Sequence, residues 1–119
     1  DGKSLCFILK QLLINCAKYC RGCRVEITAE DGCISVSDNG PGIPSHELRR
    51  VTSRGFTGAN GKSAGSTGMG LYIVSELCKK LEIELEIFSE VGKGTKFVLR
   101  FESLKKSYEN VREEKDGVR

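Results

Sequence analysis

The stretch RVEITAEDGCISVSDNGPGIP, residues 24–44, decides the fold. Residues 24–30 alternate apolar and polar side chains, residues 33–37 resume the alternation, and Asp31-Gly32 between them has the composition of a hairpin turn. Two antiparallel strands are therefore expected. The next piece, DNGPGIP, is too rich in Gly and Pro for helix or strand and places the carboxylate of Asp38 at the start of a tight turn.

Upstream, SLCFILKQLLINCAKYC (residues 4–20) sets Leu5, Ile8, Leu9, Leu12 and Leu13 at helical intervals, with Ser4 available as N-cap. This predicts a helix with one buried face. Downstream, SHELRRV (45–51) reads as a short polar helix capped by Ser45. Residues 52–67, TSRGFTGANGKSAGST, form a long polar loop in which Phe56 is the one large apolar side chain, and loops of this length are commonly functional lids. A second amphipathic helix is expected over 69–81, with Leu71, Val74, Leu77, Cys78 and Leu81 on one stripe. Two more strands, near 84–89 and 95–101, are joined by the turn EVGKG. Beyond Glu102 the periodicity stops, so 1–102 is read as one domain and 103–119 as a weakly structured tail.

Composition narrows the function. With 39% apolar and 29% charged residues in 119, the chain has the balance of a soluble globular domain, and no apolar run approaches the roughly 20 residues of a membrane span. A net charge of +3, with the basic residues scattered, gives no stripe for nucleic acid. Of the six cysteines, Cys6, Cys16 and Cys78 read as small core hydrophobes of a reducing compartment, and free thiols are expected throughout. Cys20 and Cys23 form CRGC, whose metal or redox reading lacks a second ligand pair.

Gly40 and Gly42 in DNGPGI, and Gly68 and Gly70 in STGMGL, mark two sharp turns or close approaches. The second pair precedes a helix, where free N–H groups and the positive dipole end suit a phosphate, although for a Gly-x-Gly taken alone a tight turn is the favoured reading. Neither the Walker A nor the dinucleotide-binding glycine pattern is present.

Taken together, NCAKY (15–19), DNGPGI (38–43), RGFTG (54–58) and GSTGMGL (65–71) resemble, in order, the N, G1, F and G2 boxes of sensor histidine kinases, and GKGTKF (92–97) resembles the strand start that closes the same pocket. The resemblance runs from Asp1 to Phe101 and implies the Bergerat-type ATP-binding fold shared with gyrase, Hsp90 and the mismatch-repair ATPases. That implied fold is α+β, a two-layer sandwich of helices on a mixed, mostly antiparallel sheet. Its members carry a strand before the first helix, whereas this chain begins at Asp1, so that edge strand is expected to be missing. The run 55–74 is most similar to short-sensor kinases that work beside peptide-antibiotic transporters in low-GC bacteria.

The resemblance assigns roles. Asn15 is the Mg2+ ligand, its amide oxygen being a hard donor; Lys18, on the same helical face, meets a phosphate oxygen, and Tyr19 lies near ribose or base. Asp38 accepts the adenine exocyclic amine and repels a guanine carbonyl. Gly40 and Gly42 pass under the base, Ile43 walls it, and Phe56 anchors the lid or plugs a satellite core. Thr67, Gly68, Gly70 and Leu71 belong to the phosphate turn, and Thr95 completes a water-mediated contact to adenine. Arg54 and Lys62 are either lid contacts to phosphate or solvated loop residues. Cofactors are thus ATP and Mg2+. Partners are the dimerisation and phosphoacceptor domain of the same kinase and, through the parent protein, a response regulator, with no nucleic acid and no membrane contact by this segment. The parent is expected at the cell membrane, this domain in the cytoplasm.

Related hydrolases and serine kinases place a Glu one helical turn before the Asn; here it is Gln11, and an amide takes no proton at neutral pH. Phosphotransfer to histidine is favoured over hydrolysis, with a degenerate, purely regulatory ATP-binding module as the alternative. The single histidine, His46, sits in SHELR, which looks like a phosphoacceptor motif but lacks Thr-Pro and follows the G1 turn, so the true acceptor is expected upstream.

Overall fold

The computed structural model describes residues 2–19, 22–56 and 69–101. The elements are α1 (Gly2–Tyr19), β1 (Val25–Glu30), β2 (Cys33–Asp38), α2 (Ser45–Leu48), α3 (Gly70–Lys80), β3 (Ile83–Glu90) and β4 (Gly94–Phe101). The strands lie in the order β1-β2-β4-β3, and every described pairing is antiparallel. The expected mixed sheet is therefore purely antiparallel among the described residues. β1 and β2 turn through Asp31 and Gly32, both at positive φ, the backbone that a two-residue hairpin with right-handed strand twist requires.

Register explains why one face of the sheet is apolar. Side chains alternate, and the pairings Val36 with Phe97, Phe97 with Ile87, Ile34 with Leu99, and Leu99 with Leu85 stack the inward residues of β2, β4 and β3 into rows. On these rows pack Ile8, Leu12 and Cys16 of α1 and Val74 and Cys78 of α3, with Leu5, Leu9, Leu71, Leu77 and Leu81 at the margin. Phe97, between both neighbouring strands and under the helices, has no exposed surface, and burial of such a side chain stabilises by roughly 1.5–3 kcal/mol. The two helices also touch each other, which completes a two-layer α+β sandwich.

Several local expectations need correction. α1 starts at Gly2, so Ser4 lies inside its first turn and is not the N-cap; nothing in Gly2 or Lys3 prevents the helix from beginning earlier. Leu13 and Cys6 are exposed, because the stripe facing the sheet is the narrower set Ile8, Leu12 and Cys16. α2 ends at Leu48, and its N-cap is Pro44, so Ser45 is the first helical residue. Instead of continuing, residues 47–56 make successive short-range turns, Arg50 N–H to Glu47, Ser53 N–H to Arg50 and Phe56 N–H to Ser53, each spanning three residues. Cys6, Cys16, Cys33 and Cys78 are free thiols as expected, but Cys23 is disulfide-bonded. The 103–119 tail and most of the 52–67 loop lie outside the described residues, and among those described no helix is long and apolar enough to cross a membrane.

Burial sets a pH limit on this core. Desolvation, then the hydrogen bond and charge of Asp38, lift the Cys16 thiol from 9.0 to about 12, and desolvation lifts Cys78 from 9.0 to about 11. Because the folded values lie above the unfolded ones, the stability these thiols contribute is whole below pH 9 and is lost as pH rises toward 11 and 12. The slope is at most about 1.4 kcal/mol per pH unit per thiol. Urea unfolding midpoints should fall between pH 9 and 11, and the fall should be shallower in the Cys16→Ala/Cys78→Ala double variant. An equal slope in both proteins would contradict this account.

Candidate functional site

At one end of the sheet the inward-facing rows stop being apolar. β2 runs Ile34, Val36, Asp38; β4 runs backward Leu99, Phe97, Thr95; β3 runs Leu85, Ile87, Ser89. The register pairs Asp38 with Thr95 and Thr95 with Ser89, so three polar side chains form one row across the end of the core. Asp38 and Thr95 were both expected at the site from sequence. Ser89 was not, although a lone polar residue continuing an apolar alternation was a legible signal.

Each member of the row is held. One carboxylate oxygen of Asp38, Oδ1, accepts the Gly40 backbone N–H at 2.9 Å, and the other, Oδ2, accepts the Cys16 S–H at 3.3 Å. Cys16 is only 2% exposed and its raised pKa keeps the proton on sulfur, so the thiol is a standing donor from α1 to Asp38. The Ser89 hydroxyl accepts the Ile43 N–H at 2.7 Å, donates to the Gly94 carbonyl at 2.9 Å, and lies 2.8 Å from the Thr95 hydroxyl. Thr95 itself is 8% exposed.

The turn after β2 is locked onto the turn between β3 and β4. Gly92 N–H donates to the Pro41 carbonyl at 2.9 Å, and Gly42, at φ 77°, packs so closely that an added Cβ would stand 2.3 Å from the Glu90 carbonyl oxygen. Gly42 is therefore required by the neighbouring turn, independently of any base. Gly94, the second glycine of GKGTKF, to which sequence reading gave no individual role, has φ 133° and would place a Cβ 1.9 Å from the Asp38 carbonyl oxygen. Asn39 secures the other side, its side-chain oxygen accepting the Arg24 N–H at 2.7 Å.

α1 carries the next candidates. Asn15 is half-buried, Lys18 is exposed three residues on, and Tyr19 closes the helix. Gln11, one turn before Asn15, points its Oε1 to within 3.5 Å of where a Cβ on Gly70 would sit, so this face of α1 meets the first residue of α3. Among the described residues the N-terminus of α3 carries no side-chain cap, Met69 being the N-cap residue, and a helix start is where backbone N–H groups can meet an external acceptor. Leu71 is half-buried against the core. Thr67, Gly68 and Lys62 lie outside the described residues. Phe56 is half-buried with the Arg50 guanidinium 4.8 Å from its ring centroid, a cation–π contact that ties the end of the described loop to the turns after α2. Arg54 and His46 are exposed.

This donor set fits a magnesium nucleotide. Asp38 and Thr95 have polar atoms that could meet a base, the start of α3 could turn N–H groups to a phosphate, and the Asn15 amide oxygen could meet a hard cation. No group of three His, Cys, Asp or Glu that could hold a metal exists among the described residues.

Comparison with known proteins points the same way. A family model described as histidine kinase-, DNA gyrase B-, and HSP90-like ATPase matches residues 1–105. The chain is 38% identical over 106 residues to the sensor protein BceS of Halalkalibacterium halodurans, covering 85% of this chain and 32% of that protein. It is 37% identical over 106 residues to the sensor protein kinase GraS of Staphylococcus aureus strain MRSA252, covering 85% and 31%. It thus spans about a third of the length of these relatives. Among solved structures it resembles the mycobacterial sensor histidine kinase MprB, with TM-score 0.70, 28% identity and coverage of 83% of this chain and 72% of that one. It also resembles full-length ShkA solved in complex with AMPPNP, with TM-score 0.68, 26% identity, and coverage of 83% and 21%.

Proposed function

Because the chain belongs to the family of histidine kinase-, DNA gyrase B- and HSP90-like ATPases, we propose that it is the catalytic unit of a sensor histidine kinase, binding Mg-ATP for phosphotransfer to a histidine on a separate dimerisation domain. Residues 1–102 form this unit. The observation that carries the reading is Asp38, a half-buried carboxylate held at both oxygens and paired in register with Thr95. A carboxylate so fixed keeps further lone pairs for an exocyclic amine and repels a carbonyl. Bound Mg-ATP supplies the γ-phosphoryl group. Asn15 holds the cation, Lys18 and the start of α3 neutralise and orient the phosphates, and Gly70 gives α3 its close approach. Isothermal titration with Mg-ATP and Mg-GTP tests this: ATP should bind at least tenfold tighter, and equal affinities would sink the reading.

Gln11 supports kinase over hydrolase. It stands at the start of α3, where a related ATPase needs a general base, and its amide cannot accept a proton from water. The parent protein then supplies the phosphoacceptor, the response-regulator contact and a membrane anchor.

His46 is not that acceptor. It sits on α2, three residues from Ile43 and therefore tethered at the base end, while the phosphates belong at the start of α3. In-line attack needs the nucleophile aligned with the γ-phosphorus. Incubation of this chain with γ-labelled ATP and Mg2+ should yield no acid-labile label, and His46→Gln should change nothing. Label lost on that substitution would show the assignment to be wrong.

A further inference from the structure

Hydrogen-bond direction can be deduced around Ser89, and it bears on which base the site accepts. A serine hydroxyl has one proton. The Gly94 carbonyl, 2.9 Å away, can only accept, so that proton goes to Gly94. The Ile43 N–H, 2.7 Å away, can only donate, so it takes one lone pair of Ser89. In the remaining contact, 2.8 Å to Thr95, Ser89 has no proton left to give, and Thr95 must be the donor. The Thr95 hydroxyl has then spent its only proton and offers lone pairs alone.

Beside it in the same row, Asp38 is also an acceptor. The base end of the site thus presents acceptors from both residues. We propose that Ser89 is a specificity-determining positioning residue: by taking the Thr95 proton, it keeps the site acceptor-only and selects purine nucleotides with an amine at the 6-position over those with a carbonyl. The proposal deepens the nucleotide-binding reading and rests on it. A free Thr95 hydroxyl could rotate and donate to a carbonyl, directly or through water; a Thr95 held by Ser89 cannot.

The test measures affinities of Mg-ATP and Mg-ITP, which differ in the 6-substituent and in the proton on N1, for this chain and its variants. The ATP/ITP preference of the unsubstituted chain should fall about tenfold in Ser89→Ala, the scale of one hydrogen bond made or lost. Ser89→Thr, which keeps the hydroxyl, should restore it. Thr95→Val removes the hydroxyl that could turn toward a carbonyl, so adding Ser89→Ala to Thr95→Val should leave the ATP/ITP preference where Thr95→Val alone puts it, since Ser89 acts through that one proton. If Ser89→Ala does not fold, Ser89→Cys gives the same readout, because a thiol keeps the shape but donates and accepts weakly. A parallel loss of ATP and ITP affinity in the Ser89 variant, leaving the preference intact, would make Ser89 a strut for the two turns and overturn the proposal. Failure of the unsubstituted chain to bind either nucleotide would instead overturn the nucleotide reading beneath it.

Discussion

Asp38→Ala should reduce ATP affinity by about 10- to 100-fold while leaving the fold intact. The loss of a hydrogen bond to a charged group is worth about 1.5–3 kcal/mol, and each 1.4 kcal/mol is a factor of ten. Two internal partners also lose their acceptor, the Gly40 N–H and the Cys16 thiol. The Gly40 N–H is part of the turn that carries Gly42 and Ile43, so removing the carboxylate loosens that turn as well as the base contact. Asp38→Asn separates the two effects. An amide has one acceptor oxygen where the carboxylate has two, so it can keep the bond from Gly40 but meets the Cys16 thiol with an NH2 group. The turn should survive in Asp38→Asn, and the preference for ATP over GTP should shrink because the amide can also donate to a carbonyl. Titration calorimetry with both nucleotides reads all of this. Unchanged ATP binding in Asp38→Ala would remove the base-recognition role from this residue.

Much of the architecture is legible in the sequence. The four strands follow from two-residue alternation, and their observed bounds differ from the expected ones by a residue or so at each end. Asp31-Gly32 turned the first hairpin because both positions need positive φ, which Gly and Asp tolerate. Both long helices were visible from three- and four-residue spacing. α2 was overread because SHELRRV has helical propensity, yet Thr52, Ser53 and Gly55 follow at once and the backbone settles into three-residue turns that bring Arg50 over Phe56.

The candidate site was legible where a residue type has a distinctive chemistry and illegible where its role depends on a partner distant in sequence. Asp38 and Thr95 announced themselves through motif and polarity. Cys16 reads as a small core residue, and nothing local says that its S–H points at a carboxylate 22 positions away. Ser89 lies 46 positions from the N–H it accepts, so only the packing of the turn after β2 against β3 unites them. The glycines show the same limit. Gly40 and Gly42 were expected to clear space for a base, but for Gly42 the nearer constraint is the Glu90 backbone.

Gly94→Ala should be the most destructive single substitution at the site, exceeding Gly42→Ala, with Gly92→Ala far milder. All three glycines have positive φ, so all carry a strain cost of roughly 1–3 kcal/mol when given a side chain. Space separates them. A Cβ on Gly92 meets nothing within 4 Å; on Gly42 it stands 2.3 Å from the Glu90 carbonyl oxygen; on Gly94 it stands 1.9 Å from the Asp38 carbonyl oxygen and 2.9 Å from the Asn39 Cα. These obstacles are backbone atoms in paired strands and a locked turn, which cannot swing aside as a side-chain tip would. Relieving the Gly94 clash means parting β2 from β4 where Asp38 faces Thr95, at an added overpacking cost of roughly 1–3 kcal/mol or more. Against a total stability of about 5–15 kcal/mol for a domain of this kind, the sum is a large fraction of what holds it folded. Urea unfolding should rank the midpoints Gly92→Ala above Gly42→Ala above Gly94→Ala, and residual folded Gly94→Ala should have lost nucleotide binding because the Asp38–Thr95 pairing is displaced. A Gly94 variant as stable as the Gly92 variant would mean that the two turns are not packed as described.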